Sequence, residues 1–200
     1  MLPVLIILIA ALSPSSIVSA QKFLELKVVE IGKEVPDFTL KDLSGAPRSL
    51  SAYRGKIVML YFWSATCPYV LRYEERLNEM VADYTNQNVV VLGIDSNENE
   101  NLEQIKKVSE KRQVSYPILI DPGNRVADEF GAITTPHVFI IDTDGKLAYE
   151  GAVDNQSWSE ENPVTEQYAR AALDSLVKGE TVKLPATDTF GCTVKRAFKK

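Results

Sequence analysis

The stretch Lys56-Ile57-Val58-Met59-Leu60-Tyr61-Phe62-Trp63-Ser64-Ala65-Thr66-Cys67-Pro68-Tyr69-Val70 changes its pattern within a few residues. Lys56 to Trp63 is an almost unbroken apolar run, as in a central strand buried on both faces. From Pro68 the apolar residues recur at helical spacing: Val70, Tyr73, Leu77, Met80, Val81 and Tyr84, with Glu74, Glu75, Arg76, Asn78 and Glu79 opposite. Cys67 therefore stands where a buried strand feeds the first turn of an amphipathic helix. That turn carries unpaired N–H groups and the positive end of the helix dipole, which stabilise a thiolate. Pro68 suits it, because the missing N–H has no partner to lose there. The position favours a nucleophile over the alternative, a small buried hydrophobe.

Outward from this junction, strand-like and helix-like segments alternate. Asn88 to Ile94 reads as a second buried strand, and Leu102, Ile105, Val108 and Arg112 mark a second helix. Pro117 to Ile120 is a short strand, followed by an Asp121-Pro122-Gly123-Asn124 turn. His137 to Ile141 and Lys146 to Glu150 flank an Asp-Gly hairpin turn. A last helix is expected over Pro163 to Val177, with Gly179 at its end. Asp37 to Leu40 and Arg48 to Leu50 read as a leading hairpin. Helix-joined strands run parallel, and a tight hairpin is antiparallel. The expected fold is α/β: a central mixed sheet flanked by helices, with an N-terminal β-hairpin and a C-terminal tail from Glu180 to Lys200. That tail must dangle or pack back.

The composition narrows the function. The chain has 200 residues, 45% hydrophobic and 24% charged, which excludes a disordered or multi-span membrane protein. A net charge of −5 gives no field for nucleic acid. Two cysteines and one histidine exclude a zinc finger, and neither a phosphate-cradling glycine motif nor a metal cluster implies a cofactor. Met1 to Ala20 carries no charged side chain, and Val18-Ser19-Ala20 offers a small-residue cleavage site. The expectation is a signal peptide over 1–20 and an exported chain, periplasmic or extracellular, whose main domain spans 21–179. The alternative is an uncleaved N-terminal anchor; no other membrane contact is expected. Export would place both cysteines where disulfides persist.

A second element is Thr134-Thr135-Pro136-His137, where a proline enters a strand. A cis Thr135–Pro136 bond would lay free backbone beside Cys67; a trans proline ending a loop is the plainer alternative. His137 reads as a partly solvated strand-start residue, with proton transfer as the rival role. Arg72 and Arg76 read as solvated, with support of a Cys67 thiolate as the rival. The acidic run Asp95 to Glu103 reads as a loop and helix start.

The Cys67 string and Thr135-Pro136 together resemble the thioredoxin superfamily. Val35-Pro36-Asp37-Phe38-Thr39-Leu40 resembles the opening strand of its redoxin branch, related to alkyl hydroperoxide reductases and thiol-specific antioxidant proteins. Cys67-Pro68-Tyr69-Val70 with Tyr73-Glu74 and Arg76, Tyr116-Pro117, and the tail Phe190-Gly191-Cys192-Thr193-Val194-Lys195-Arg196 resemble its peroxiredoxin-like members. The resemblance implies a thioredoxin-like fold with cis-Pro136 facing Cys67. It implies thiol-dependent redox chemistry with Cys67 and Cys192 as catalytic residues, and a wall of Trp63, Ser64, Thr66, Pro68, Thr135 and Pro136. Partners implied are a peroxide or a protein thiol or disulfide, and an external thiol reductant. The chain departs from the pattern in three places. Val70 stands where thioredoxin has its second cysteine, so no local dithiol exists. Tyr61 replaces its buried acid. Leu60 replaces the proline of a typical peroxiredoxin, although Ser64 keeps a hydroxyl.

Cys192 then has three readings. It resolves a sulfenic acid formed on Cys67 during peroxide reduction, giving a disulfide. It forms a permanent bridge, nominally worth about 5 kcal/mol for so long a loop. Or both thiols stay unpaired. Peroxide reduction is the leading expectation. Thiol–disulfide exchange, or a non-catalytic binding domain with a structural disulfide, is the alternative.

Overall fold

The computed structural model describes residues 29–156 and 163–197. The expected signal peptide over 1–20 lies outside them. A seven-stranded mixed sheet forms the centre, in the order β2-β1-β5-β4-β3-β7-β8. Its strands are β1 (Thr39–Asp42), β2 (Pro47–Ser49), β3 (Ile57–Trp63), β4 (Val89–Asp95), β5 (Ile118–Ile120), β7 (His137–Ile141) and β8 (Leu147–Gly151). Strands β3, β4 and β5 run parallel, while β7 pairs antiparallel with both β3 and β8. The helices are α1 (Pro68–Tyr84), α2 (Leu102–Lys111), α3 (Arg125–Phe130) and α4 (Tyr168–Val177). Two-residue strands β6 (Thr134–Thr135) and β9 (Cys192–Thr193) form a separate antiparallel pair.

Alternation along β3 builds both cores. Ile57, Met59, Tyr61 and Trp63 face α1, α2 and α4, packing on Val70, Leu77, Ile105 and Leu173. Val58, Leu60 and Phe62 face the other way, onto Phe130 of α3, Leu40 and Phe139. All seven residues of β3 are buried, as the unbroken apolar run requires.

Three elements differ from expectation, each for a local reason. The strands of the leading hairpin, Thr39–Asp42 and Pro47–Ser49, lie closer to their turn than read, because the Asp42 carboxylate closes it by accepting from the amides of Ser44 and Ala46 and from Arg48 Nε. Helix α3 has no legible period over so short a length; it forms because Asp121 accepts the free amides of Val126 and Ala127 at 3.0 and 2.9 Å. The last helix starts at Tyr168 rather than Pro163. Asn155 Oδ1 takes the amides of Thr165 and Glu166, and the Asn155 amide donates to the Glu166 carbonyl, which holds that segment out of the helix.

The tail packs back. Thr187 Oγ1 accepts from the Ala152 amide and shares a hydrogen bond with the Tyr149 hydroxyl. Further on, β9 joins β6, the Lys195 amide donates to Asn97 Oδ1, and Arg196 pairs with Asp128 at 2.9 Å. No helix among the described residues is long and apolar enough to cross a membrane.

Candidate active site

Parallel pairing sets the C-terminal end of β3 beside that of β4, with Trp63 opposite Asp95. The chain leaves β3 through Ser64-Ala65-Thr66, and Cys67 becomes the N-cap of α1 with Pro68 in its first turn. Cys67 is 2% exposed. Its amide donates to Ser64 Oγ at 3.1 Å, and its thiol lies 3.0 Å from the Thr135 carbonyl, its acceptor. The Thr135–Pro136 bond is cis. Cys192 Sγ lies 2.8 Å from Cys67 Sγ, and the two cysteines are not bonded. The fold thus brings together the Cys67 string, the Thr-Pro step and the tail cysteine, which sequence places far apart.

Residues outside the expected set hold this arrangement. Glu100 accepts from the amides of Ala65 and Thr66 at 2.7 and 3.0 Å, and from Ser64 Oγ at 2.6 Å. Arg112 donates to the Ala65 carbonyl at 2.8 Å and to that of Ser64 at 3.4 Å. The two side chains flank α2 and clamp the loop before Cys67 by its N–H and C=O groups respectively. Burial alone would raise the Glu100 carboxyl, but the hydrogen bonds from Asp95, Ser64, Thr66 and Ala65 outweigh it and hold it below its usual range. Its neighbour Asp95 is pushed up to about 8, by burial first and then by Glu100. Asp95 Oδ1 takes the Asn97 amide. Oδ2 meets no other donor among the described residues, and the raised carboxyl favours its protonated form beside Glu100. The acidic run expected to be a loop and helix start therefore supplies two interacting carboxyls, of which Glu100 holds the Cys67 loop. A signal existed in the sequence: Asp95 directly follows the apolar run read as a buried strand, and parallel pairing with β3 sets it opposite Trp63.

This pair yields a pH prediction. A carboxyl raised from 3.8 to about 8 keeps its proton when folded and loses it when unfolded. The stabilisation is whole below pH 4 and is lost as pH rises toward 8, with a slope of up to about 1.4 kcal/mol per pH unit. Asp95→Asn cannot ionise and keeps a donor for Glu100. Urea midpoints measured from pH 6.5 to 8 fall for wild type, and the variant lacks that part of the decline.

Other expectations are corrected. Trp63 is fully buried and does not line a groove; Nε1 donates to Glu74 Oε2 at 3.1 Å. Glu74 also accepts from the Tyr116 hydroxyl at 2.8 Å, and burial raises its carboxyl. A buried acid is thus present on α1 rather than at position 61. His137 is buried, not partly solvated. It pairs with Phe62, on the sheet face opposite α1, and its ring centroid lies 4.4 Å from that of Phe139. Burial lowers it to about 4, so it stays neutral, and its Nδ1 has no partner among the described residues. Arg76 is half-buried and paired rather than freely solvated: it pairs with buried Asp154 and stacks on Tyr73. Ser64 and Thr135 are buried, Thr66 is exposed, and Val70 is core.

A cysteine capping a helix after a buried strand, faced by a cis-proline edge, defines the class: an oxidoreductase of the thioredoxin fold. Residues 31–150 match the AhpC/TSA family, and the chain belongs to it. It is similar to the thiol-disulfide oxidoreductase ResA of Geobacillus thermodenitrificans, 35% identical over 144 residues, which covers 72% of this chain and 80% of that one. The crystal structure of an uncharacterized conserved protein from Geobacillus kaustophilus superposes with a TM-score of 0.81 at 29% identity, over 86% of this chain and 95% of the other. Peroxidoxin BcpB from Mycobacterium tuberculosis does so at 0.58 and 25% identity, over 76% of this chain and 97% of its own.

Proposed function

We propose that the chain catalyses thiol–disulfide exchange, with Cys67 as nucleophile and Cys192 as the sulfur that closes the cycle. The observation that supports it is the 2.8 Å approach of the two sulfurs, delivered by the β6–β9 pairing. It replaces the missing local dithiol at Val70. The ResA likeness favours exchange over peroxide reduction. In the first step the Cys67 thiolate attacks one sulfur of a disulfide RS–SR′, a Cys67–SR bond forms, and R′S⁻ leaves to take a proton. The Cys192 thiolate then attacks Cys67 Sγ, RS⁻ leaves, and a Cys67–Cys192 bond remains. An external thiol restores both. The Met1 to Ala20 segment suits an exported setting, where disulfide substrates persist.

The test mixes the fully reduced protein with an oxidised protein disulfide, then maps linked peptides. A Cys67–Cys192 link, and a mixed disulfide on Cys67 that accumulates in Cys192→Ser, are the expected results. No link and no mixed disulfide would overturn the proposal. Peroxide reduction is the second reading, favoured by the AhpC/TSA membership and by Ser64 beside Cys67. A stoichiometric hydrogen peroxide pulse with dimedone decides it: sulfenylation of Cys67 faster than exchange would move the assignment to peroxide.

Gly191 sets the reach of Cys192. A Cβ there would lie 2.3 Å from the Thr135 carbonyl oxygen, and Gly191 adopts φ +154°, which side chains rarely take. Gly191→Ala pushes β9 off β6. Closure of the bridge from a Cys67 mixed disulfide slows by roughly tenfold or more, as expected for a misplaced reacting group, in a stopped-flow measurement.

A further inference from the structure

The two cysteines that would form the bridge are not equally open to a third sulfur. Cys67 is 2% exposed, while Cys192 is half-buried. The backbone edge beside Cys67 is taken, because Thr135 pairs with Cys192 and the Val194 amide donates to the Ile133 carbonyl at 3.1 Å. In the reduced chain only such non-covalent contacts hold β9 in place, so a disulfide substrate can reach Cys67 once they open. In the bridged chain the covalent bond keeps Cys67 covered.

We propose that the reducing thiol attacks Cys192 Sγ, not Cys67, so that substrate enters at one sulfur and reductant at the other. This deepens the exchange reading and rests on it. The thiolate RS⁻ forms an RS–S bond to Cys192, the bridge breaks, and its electron pair leaves on Cys67, which later takes a proton. A second RSH, as its thiolate, attacks the R sulfur. RSSR departs, and Cys192 regains its thiol. Two thiols are oxidised, and one bridge is reduced. The partner this fits is a compact low-molecular-weight thiol, since the β6 edge offers no strand to pair with. Burial, then the Cys67 sulfur, push the Cys192 thiol up to about 11. The burial part of that rise persists when Cys67 carries another group, so Cys192 leaves less readily than an open thiol, which disfavours attack on Cys67.

The experiment closes the bridge in the full chain with diamide and reacts it briefly with reduced glutathione. Acid quench, alkylation of free thiols and peptide mapping follow. The expected product carries glutathione on Cys192 and the alkyl group on Cys67, at least tenfold above the reverse isomer. Glutathione on Cys67, or equal amounts of both isomers, would overturn this proposal and leave the exchange reading standing. Failure of diamide to close the bridge would overturn both.

Discussion

Cys67→Ser drops thiol–disulfide exchange to the uncatalysed background, a loss on the order of a thousand-fold or more, as removal of a covalent nucleophile does. A serine hydroxyl does not form the covalent intermediate with a disulfide sulfur. It does keep a donor for the Thr135 carbonyl, and the Cys67 backbone contacts to Ser64 and Leu71 are independent of the side chain. The variant therefore folds, and its thermal melt in reductant stays near that of wild type. Cys192→Ser behaves differently. It keeps the first attack, stalls at the mixed disulfide, and loses only turnover. Initial rates with a chromogenic disulfide separate the two: a Cys67→Ser protein with more than a tenth of wild-type activity would remove Cys67 from the mechanism.

Asp154→Ala is expected to destabilise the protein by about 3 kcal/mol, the low end for breaking a buried ion pair. For a chain of this size that lowers Tm by roughly 10 °C. Asp154 has a side-chain exposure of 2%, against 30% for its partner Arg76. It also accepts from the Tyr73 hydroxyl at 2.8 Å and from the Gln156 amide at 2.9 Å. Alanine leaves the guanidinium and the phenol without that acceptor; Arg76 is exposed enough to recover some hydration, which sets the lower figure. These contacts fasten α1 to the segment after β8, so the loss appears in differential scanning calorimetry of the reduced protein. A shift under 2 °C would mean that water replaces Asp154.

The strand before Cys67 and the helix after it were legible because both have strong periods. The mixed sheet followed from the alternation of such segments and the Asp-Gly turn. What escaped sequence reading depends on contacts across the fold. Glu100 and Arg112 clamp the Cys67 loop from either end of α2, yet along the chain each resembles an ordinary helix-flanking charge. Trp63 reads along the chain as part of a site wall, but its indole N–H has a buried acceptor in Glu74, so it can leave solvent. His137 starts a strand, where partial exposure is usual. Strand β7 is interior here, between β3 and β8, and both flanks are covered. Helix α3 was missed because a carboxylate outside it, Asp121, organises its first turn.

The tail is fastened on both sides of Cys192, at Thr187 by Tyr149 and Ala152, and at Lys195 and Arg196 by Asn97 and Asp128. When β9 lifts from β6, its cysteine is still leashed at both ends. Its effective concentration at Cys67 then stays at the millimolar level or above. A mixed disulfide on Cys67 accordingly meets its own tail before it meets a second dilute thiol. Escape from that intramolecular capture requires competing thiol at millimolar levels, which makes the length of the leash, rather than any contact with the substrate, the element that keeps partners from remaining covalently attached.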